Sequence, residues 1–315
     1  MEKIKTGISS CLLGNKVRYD GGHKWDRYLT ETLGQYLEWV PVCPEVECGL
    51  PVPREAMRLI GTPDSPHLVT VRTGIDHTER MLQWAENKLR ELENENLSGF
   101  IFKSRSPSSG IGGVKIYTPS GMPSQRGPGI FGNAFLKHFP LIPGIDDGRL
   151  HDPGLRDNFI ERVFVYKRWK ELTDRGLSIG DFVTFHTDHK LLILSHSQKH
   201  YATLGRLVAT AKGRNLHELQ SQYFNLLMEG LRLLATIKKN TNVLIHMTGY
   251  FKKQLSPDEK RELLELIYHY HKGYIPLIVP ITLIKHYVRK FDEPYLKKQY
   301  YLNPHPVELM LRNHV

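Results

Sequence analysis

Residues 4–22 read IKTGISSCLLGNKVRYDGG. A short apolar run, Ile4 to Ser9, breaks off into a loop that carries Cys11 and ends in turn-forming Asp-Gly-Gly. The same arrangement returns twice. Trp39 to Val42 runs into CPEVECGLPVPR at 43–54, where the density of Pro and Gly argues against a helix. Phe100 to Lys103 runs into SRSPSSGIGG at 104–113. Between these runs, about Lys24 to Leu37 predicts a helix. So does Asp76 to Glu93, which sets Met81, Trp84, Ala85, Leu89 and Leu92 on one face. Strand alternating with helix predicts an α/β domain with a mostly parallel sheet. In such a sheet ligand sites gather outside the carboxyl ends of the strands. Cys11, Cys43 and the serine-rich loop each follow a predicted strand, so the three segments are expected to converge on one pocket.

Beyond them, TPSGMPSQRGPGIFG at 118–132 reads as a long irregular loop. The domain boundary is placed in PGIDDGRLHDPG at 143–154, which divides the chain into 1–148 and 149–315. After it the pattern is helical. His217 to Lys239 sets Leu219, Tyr223, Leu226, Leu227, Leu231, Leu234 and Ile237 on one face. Ser256-Pro257-Asp258-Glu259 combines an N-cap, a Pro at the first helical position and a capping-box acid, and Gly273 suits the C-cap. A further helix is expected over Ile281 to Arg289. The second domain is expected to be all-α.

The chain has 315 residues, 40% of them hydrophobic and 24% charged, which excludes collagen-like and wholly disordered classes. No run reaches the roughly 18 apolar residues of a membrane span. The first ten residues lack the apolar core of a signal peptide, so a cytoplasmic location is expected. Charge is uneven. Residues 1–150 hold 18 basic and 17 acidic side chains, the remainder 25 and 16. A nearly neutral half with all three cysteines and a basic half with none reads as a catalytic module beside an anion-binding one. The plain alternative is a basic, inert, solvated surface.

Three cysteines exclude a disulfide scaffold. Cys11, Cys43 and Cys48 suit zinc, with His23 or His67 as a fourth ligand, or an iron–sulfur cluster with one iron left open. Three buried, inert thiols fit the spacing equally well. The loop from Lys103 to Gly110 offers hydroxyls, two cations and backbone amides able to hold a phosphate, though it is no Walker motif. An ordinary serine-rich turn has the same composition. Glu45 and Glu47 flank the thiol pair, and a carboxylate there can deprotonate water. For Glu47 a solvated loop position is the better reading. Asp20 is either a turn former or an acid supporting the site.

Taken together, SSCLLG (9–14), VRYDG (17–21), PVCPEVECGLPVPR (41–54) and KSRSPSSG (103–110) resemble the thiouracil desulfidase family. HDPGLRDNFIERVFVYKRW (151–169), FHTDHKLLILSHSQKHY (185–201), TNVLIHMTGYFKK (241–253) and YLNPHPVELMLRNHV (301–315) resemble the helical domain fused to it in many bacteria. The fused form is similar to tRNA 4-thiouridine desulfidases. The resemblance implies a [4Fe-4S] cluster held by three cysteines, with one iron not bound by cysteine that takes the substrate sulfur without net redox. Cys11 and Cys43 match two of the family's ligands. Where stand-alone members carry the third cysteine this chain has Ser109, and it has Cys48 where they commonly have Gly. Cys48 is therefore inferred as the third thiolate.

The implied reaction turns 4-thiouridine in tRNA into uridine and releases hydrosulfide. Glu45 is the candidate base; Ser104 and Ser106 would hydrogen-bond the pyrimidine. Lys103 and Arg105 would take a phosphate, with Asp20 and Ser109 as further substrate contacts. In the basic half Lys238, Lys239, Lys252, Lys253, Arg289, Lys290, Lys297 and Lys298 are the candidate RNA contacts. Tyr250, Tyr287 and His286 could stack on a base, although core packing is the better reading for each. Two other functions fit the same residues: a desulfidase of free thiouracil or thiouridine monophosphate, and a non-catalytic, metal-containing RNA-binding regulator.

Overall fold

The computed structural model describes residues 2–118 and 120–314. It divides into two compact units, Met1–Asp152 and Pro153–Val315.

In the first unit, strands β1 (Ile4–Ser9), β2 (Leu37–Val42), β5 (Phe100–Phe102) and β8 (Gly144–Asp146) form one wholly parallel sheet in the order β2-β1-β5-β8. Every residue of β5 is buried, as expected for a strand covered on both faces. Gly7 of β1 is required there, because a Cβ would overlap the Phe100 ring. Phe100 stacks on Phe102 at 4.2 Å, and both rings meet Phe135 edge-on.

A second sheet lies outside the sequence expectation. β3 (Met57–Gly61), β4 (Pro66–Thr70), β6 (Val114–Tyr117) and β7 (Pro123–Gly127) are two antiparallel hairpins joined by parallel β3–β6 pairing. Their patterns are too short and too polar to stand out as strands; β7, PSQRG, is almost wholly exposed. The stretch expected to be an irregular loop thus holds β7 and the start of α3 (Ile130–His138), with Pro119 outside the described residues.

Two helix expectations need correction. Over 24–37 the chain forms only short irregular turns, Tyr28–Thr32 and Leu33–Gln35, and β2 begins already at Leu37. In CPEVEC, one helical turn, α1 (Pro44–Glu47), does form. Pro44 is its first residue, where a missing N–H costs nothing. Amphipathic α2 (Thr78–Asn94) buries Met81, Ala85, Leu89 and Leu92, close to its expected span. A four-residue turn, α4 (Asp147–Leu150), follows β8.

The second unit is helical throughout: α5 (Pro153–Asp174), α6 (Ile179–His196), α7 (Gln198–Ala209), α8 (Leu216–Arg232), α9 (Ile237–Thr248), α10 (Pro257–His271), α11 (Ile278–Lys290) and the turn α12 (Pro294–Lys297). The expected single helix over 217–239 is two. The chain leaves α8 at extended Leu233, and Thr236 caps α9. Leu234 and Ile237, assigned to the buried face, are accordingly exposed. The Ser256 capping box with Glu259 is present, and Gly273 adopts φ +75° just past the helix end. No described helix is long and apolar enough to cross a membrane.

Candidate active site

The parallel sheet carries the site on its carboxyl edge. The chain leaves β1 for β2 on one side and reaches β5 and β8 on the other, so the strand order reverses between β1 and β5. That reversal opens a crevice. Ser9 at the end of β1 accepts the Lys103 amide at 2.8 Å, which ties the two diverging strand ends together. The crevice is a cavity of about 350 Å³, within the range of small-molecule sites.

Cys11, Cys43, Glu45, Lys103, Ser104, Arg105, Ser106 and Ser109 all line it, so the three strand-end segments do converge. Burial pushes the Cys11 thiol up to about 11 and raises that of Cys43. Glu45 lies between two partners. Its Oε2 pairs with buried Arg54, and its Oε1 accepts the Ser108 hydroxyl at 2.7 Å. Ser108 Oγ in turn lies 2.9 Å from Ser106 Oγ. A hydroxyl chain therefore links the serine loop to the carboxylate. Ser109 is 4% exposed, donates its amide to Ser106 Oγ at 3.2 Å, and has no side-chain hydrogen bond among the described residues.

The loop is held from behind by α3. Its first amides point at the loop carbonyls: Ile130 donates to Pro107, Phe131 and Gly132 to Ser108. A Cβ on Gly129 would lie 2.7–2.8 Å from three loop carbonyls, and one on Gly132 would overlap the Gly110 oxygen. GPGIFG is thus the glycine-lined seat of the serine loop.

Several residues stand elsewhere than expected. Cys48 is not on the cavity wall. Its Sγ faces the Glu45 carbonyl at 3.3 Å, and it packs against the core of Leu59, Leu68 and Met81. One helical turn separates it from Cys43, and the turn's two ends serve different surroundings. Among the described residues no group of three His, Cys, Asp or Glu side chains is placed to hold a metal. Asp20 is exposed and off the wall; it accepts the Gly22 amide and pairs with Arg18, a turn former's work. His23 and His67 are also remote: His23 accepts the Trp25 amide and His67 pairs with Asp76. Glu47 caps α1 through the Cys43 amide at 2.7 Å and pairs with Lys88. Lys103 is already neutralised by Asp147 at 2.7 Å and also holds Ser104 Oγ at 2.9 Å. Burial works to raise the Asp147 carboxyl, but Lys103 and the Ser104 amide outweigh it and hold it low.

Four participants are missed by the sequence reading. Arg18 and Arg54 sit inside the quoted motifs, Ser108 inside the serine loop, and Asp147 in the stretch assigned to the domain boundary. In the helical unit, Lys239 holds the carbonyls of His196 and Leu234, Lys290 pairs with Glu259, and Lys297 pairs with Asp292. Lys238, Lys252, Lys253, Arg289 and Lys298 are exposed. Tyr287 is buried in the core; Tyr250 stacks on Tyr295 at 5.2 Å.

Residues 6–147 match the family model described as 2-thiouracil desulfurase. A solved [4Fe-4S]-dependent thiouracil desulfidase, TudS, is 30% identical; the match covers 48% of this chain and 95% of that one, with a TM-score of 0.38. Over residues 6–147 the chain belongs to the 2-thiouracil desulfurase family. The desulfurase match ends within the first unit, and residues 190–306 match a second family model, a protein family of unknown function (DUF1722). Two curated relatives carry no assigned activity. The uncharacterized YbgA of Escherichia coli K12 is 33% identical over 158 residues, 50% of this chain and 94% of its own. The uncharacterized YbbK of Bacillus subtilis 168 is 32% identical over 119 residues, 36% of this chain and 78% of its own.

Proposed function

We propose that the protein removes sulfur from a thiolated uracil, as an iron–sulfur-dependent desulfidase acting on 4-thiouridine in tRNA. The observation that carries this reading is the joining of the Cys11 and Cys43 thiols, the Glu45 carboxylate and the serine loop around one cavity of about 350 Å³ in a desulfurase-family domain. The donor set fits a cluster. The Cys11 and Cys43 thiols, both raised by burial, stay protonated without a metal and lose that proton to one. We take the Ser109 hydroxyl, on the cavity wall, as the third donor in place of the Cys48 thiol, which lies off that wall. A cluster held there with one iron free would supply a Lewis acid toward a thiocarbonyl sulfur.

The chain's own groups handle the water. Glu45, paired with Arg54 through Oε2, accepts the proton of a water that attacks the ring carbon. The Ser106 and Ser108 hydroxyls extend from that carboxylate as a hydrogen-bonded chain that keeps it oriented. Water oxygen forms the new C–O bond, the C–S bond breaks, and sulfur leaves with its electron pair; Glu45 passes one water proton to it, giving hydrosulfide, and the other water proton is released to solvent. No electron is gained or lost overall. Ser104, whose hydroxyl accepts a bond from Lys103, hydrogen-bonds the base in this reading. Arg105, exposed on the cavity wall without an acidic partner among the described residues, is the better phosphate contact of the two cations.

The test is anaerobic reconstitution followed by assay of hydrosulfide release from thiolated tRNA, 4-thiouridine monophosphate and free thiouracil. The expected result is about four irons and four sulfides per chain and loss of 4-thiouridine from tRNA. Equal turnover of the free base would make a small molecule the substrate. Zinc near one per chain, with no hydrosulfide from any substrate, would overturn the reading.

A further inference from the structure

Four exposed cations of the desulfurase domain gather beside the catalytic cavity. Two further grooves open beside the catalytic cavity, of about 440 and 610 Å³. Arg105 lies on the wall of the cavity and of both grooves, so the three are continuous around one side chain. Arg126 is shared by the two grooves; Lys115 lines one and Arg149 the other. All four cations are exposed. Among the described residues none pairs with a carboxylate, whereas Lys103 on the same rim is taken up by Asp147. The single acid on either groove wall, Asp146, already accepts the Arg149 amide as the cap of α4. Near-neutral composition hides this patch, because the balancing acids lie elsewhere. Glu79, Glu86, Glu91 and Glu93 are all on α2, and Glu86 and Glu91 pair with cations of that same helix.

We infer that these grooves bind the phosphodiester backbone of a single-stranded or looped RNA on both sides of the nucleotide whose base enters the cavity. One mononucleotide phosphate needs a single cation cluster. Unpaired cations in two grooves that meet at the cavity rim match phosphates before and after the reacting base. Arg105, at the junction, takes the phosphate of the reacting nucleotide itself. The inference rests on the desulfidase reading and changes which unit holds the RNA near the chemistry: the nearly neutral half does so, whatever the helical unit adds.

The experiment uses the full chain and a single-stranded oligoribonucleotide carrying one 4-thiouridine. Binding is measured across a salt series for the wild type, for the groove variants Lys115→Glu/Arg126→Glu and Arg149→Glu, and for Lys252→Glu/Lys253→Glu as a comparison. These positions are exposed and off the cavity wall, so folding, checked by thermal melting, should be retained. The double groove variant is expected to weaken binding by about tenfold or more and to flatten the logarithmic salt slope by about 0.7 for each phosphate no longer neutralised. Turnover of free thiouracil should be unchanged. Unchanged oligonucleotide affinity and slope in both groove variants would overturn the inference. So would weakening seen only in Lys252→Glu/Lys253→Glu on the helical unit. Weakened binding of thiouridine monophosphate to the same degree would also overturn it, making the grooves a mononucleotide site. If the wild type binds the oligonucleotide as expected but releases no hydrosulfide from any substrate, the desulfidase reading fails and the groove stands.

Discussion

Glu45 is gripped by the Arg54 guanidinium on one oxygen and by the Ser108 hydroxyl on the other. Glutamine at this position keeps the shape and loses the ability to take a proton. Glu45→Gln is therefore expected to lower hydrosulfide release by about 100-fold or more while iron per chain stays at the wild-type value. Retained turnover would move the base elsewhere. The cysteines are separable in the same way. Cys11→Ala and Cys43→Ala should abolish cluster assembly, read as iron and acid-labile sulfide after reconstitution. Ser109→Ala should weaken cluster retention by about tenfold or more, the scale of removing one supporting group. Cys48→Ala, at a residue off the cavity wall whose thiol meets the Glu45 carbonyl, should leave iron content unchanged. The reverse order for Ser109 and Cys48 would restore Cys48 as the third ligand.

At the level of elements, the serine loop and the start of α3 form one unit. A helix start leaves amides without partners, and here the loop carbonyls accept them. Close approach needs glycine, because any side chain at Gly132 would collide with the Gly110 carbonyl. Gly132→Ala must push the loop outward and disturb Ser108, Glu45 and Ser109 together. The expected outcome is a loss of about 1–3 kcal/mol of stability, with hydrosulfide release falling more than thermal stability does. An active variant with only a lowered melting temperature would show that the loop tolerates displacement.

On the scale of the whole molecule, the helical unit carries a pH dependence of its own. Burial, helped by Lys190, lowers His186 to about 4, and burial with the nearby Arg168 charge holds His189 well below its ordinary value. Both rings are neutral in the folded state. As pH falls below about 6.5, the unfolded chain takes up protons that the folded unit refuses. Each histidine then removes about 1.4 kcal/mol of stability per pH unit until it protonates in the fold. For His186 that window closes near pH 4. The unit is expected to melt at progressively lower temperature from pH 7 to pH 5, with a smaller slope in His186→Gln. A slope identical in the variant would assign the effect to other groups.

Much of this fold is written locally. Alternating apolar runs and turns determined an α/β half and a helical half, because strand and helix periods are local patterns. The segments of the site were legible too, since each motif follows a strand and the edge of a parallel sheet brings strand ends together. Tertiary structure alone decided the second sheet, the break between α8 and α9, and the use made of each charged or nucleophilic side chain. Cys43 and Cys48 look equivalent in CPEVEC, yet one turn of helix sends the first to the cavity and the second to the core. Lys103 and Arg105 look equivalent in KSRS, yet Asp147, 44 residues away, neutralises only the first. Composition counts charges, and only the fold determines which of them meet a partner.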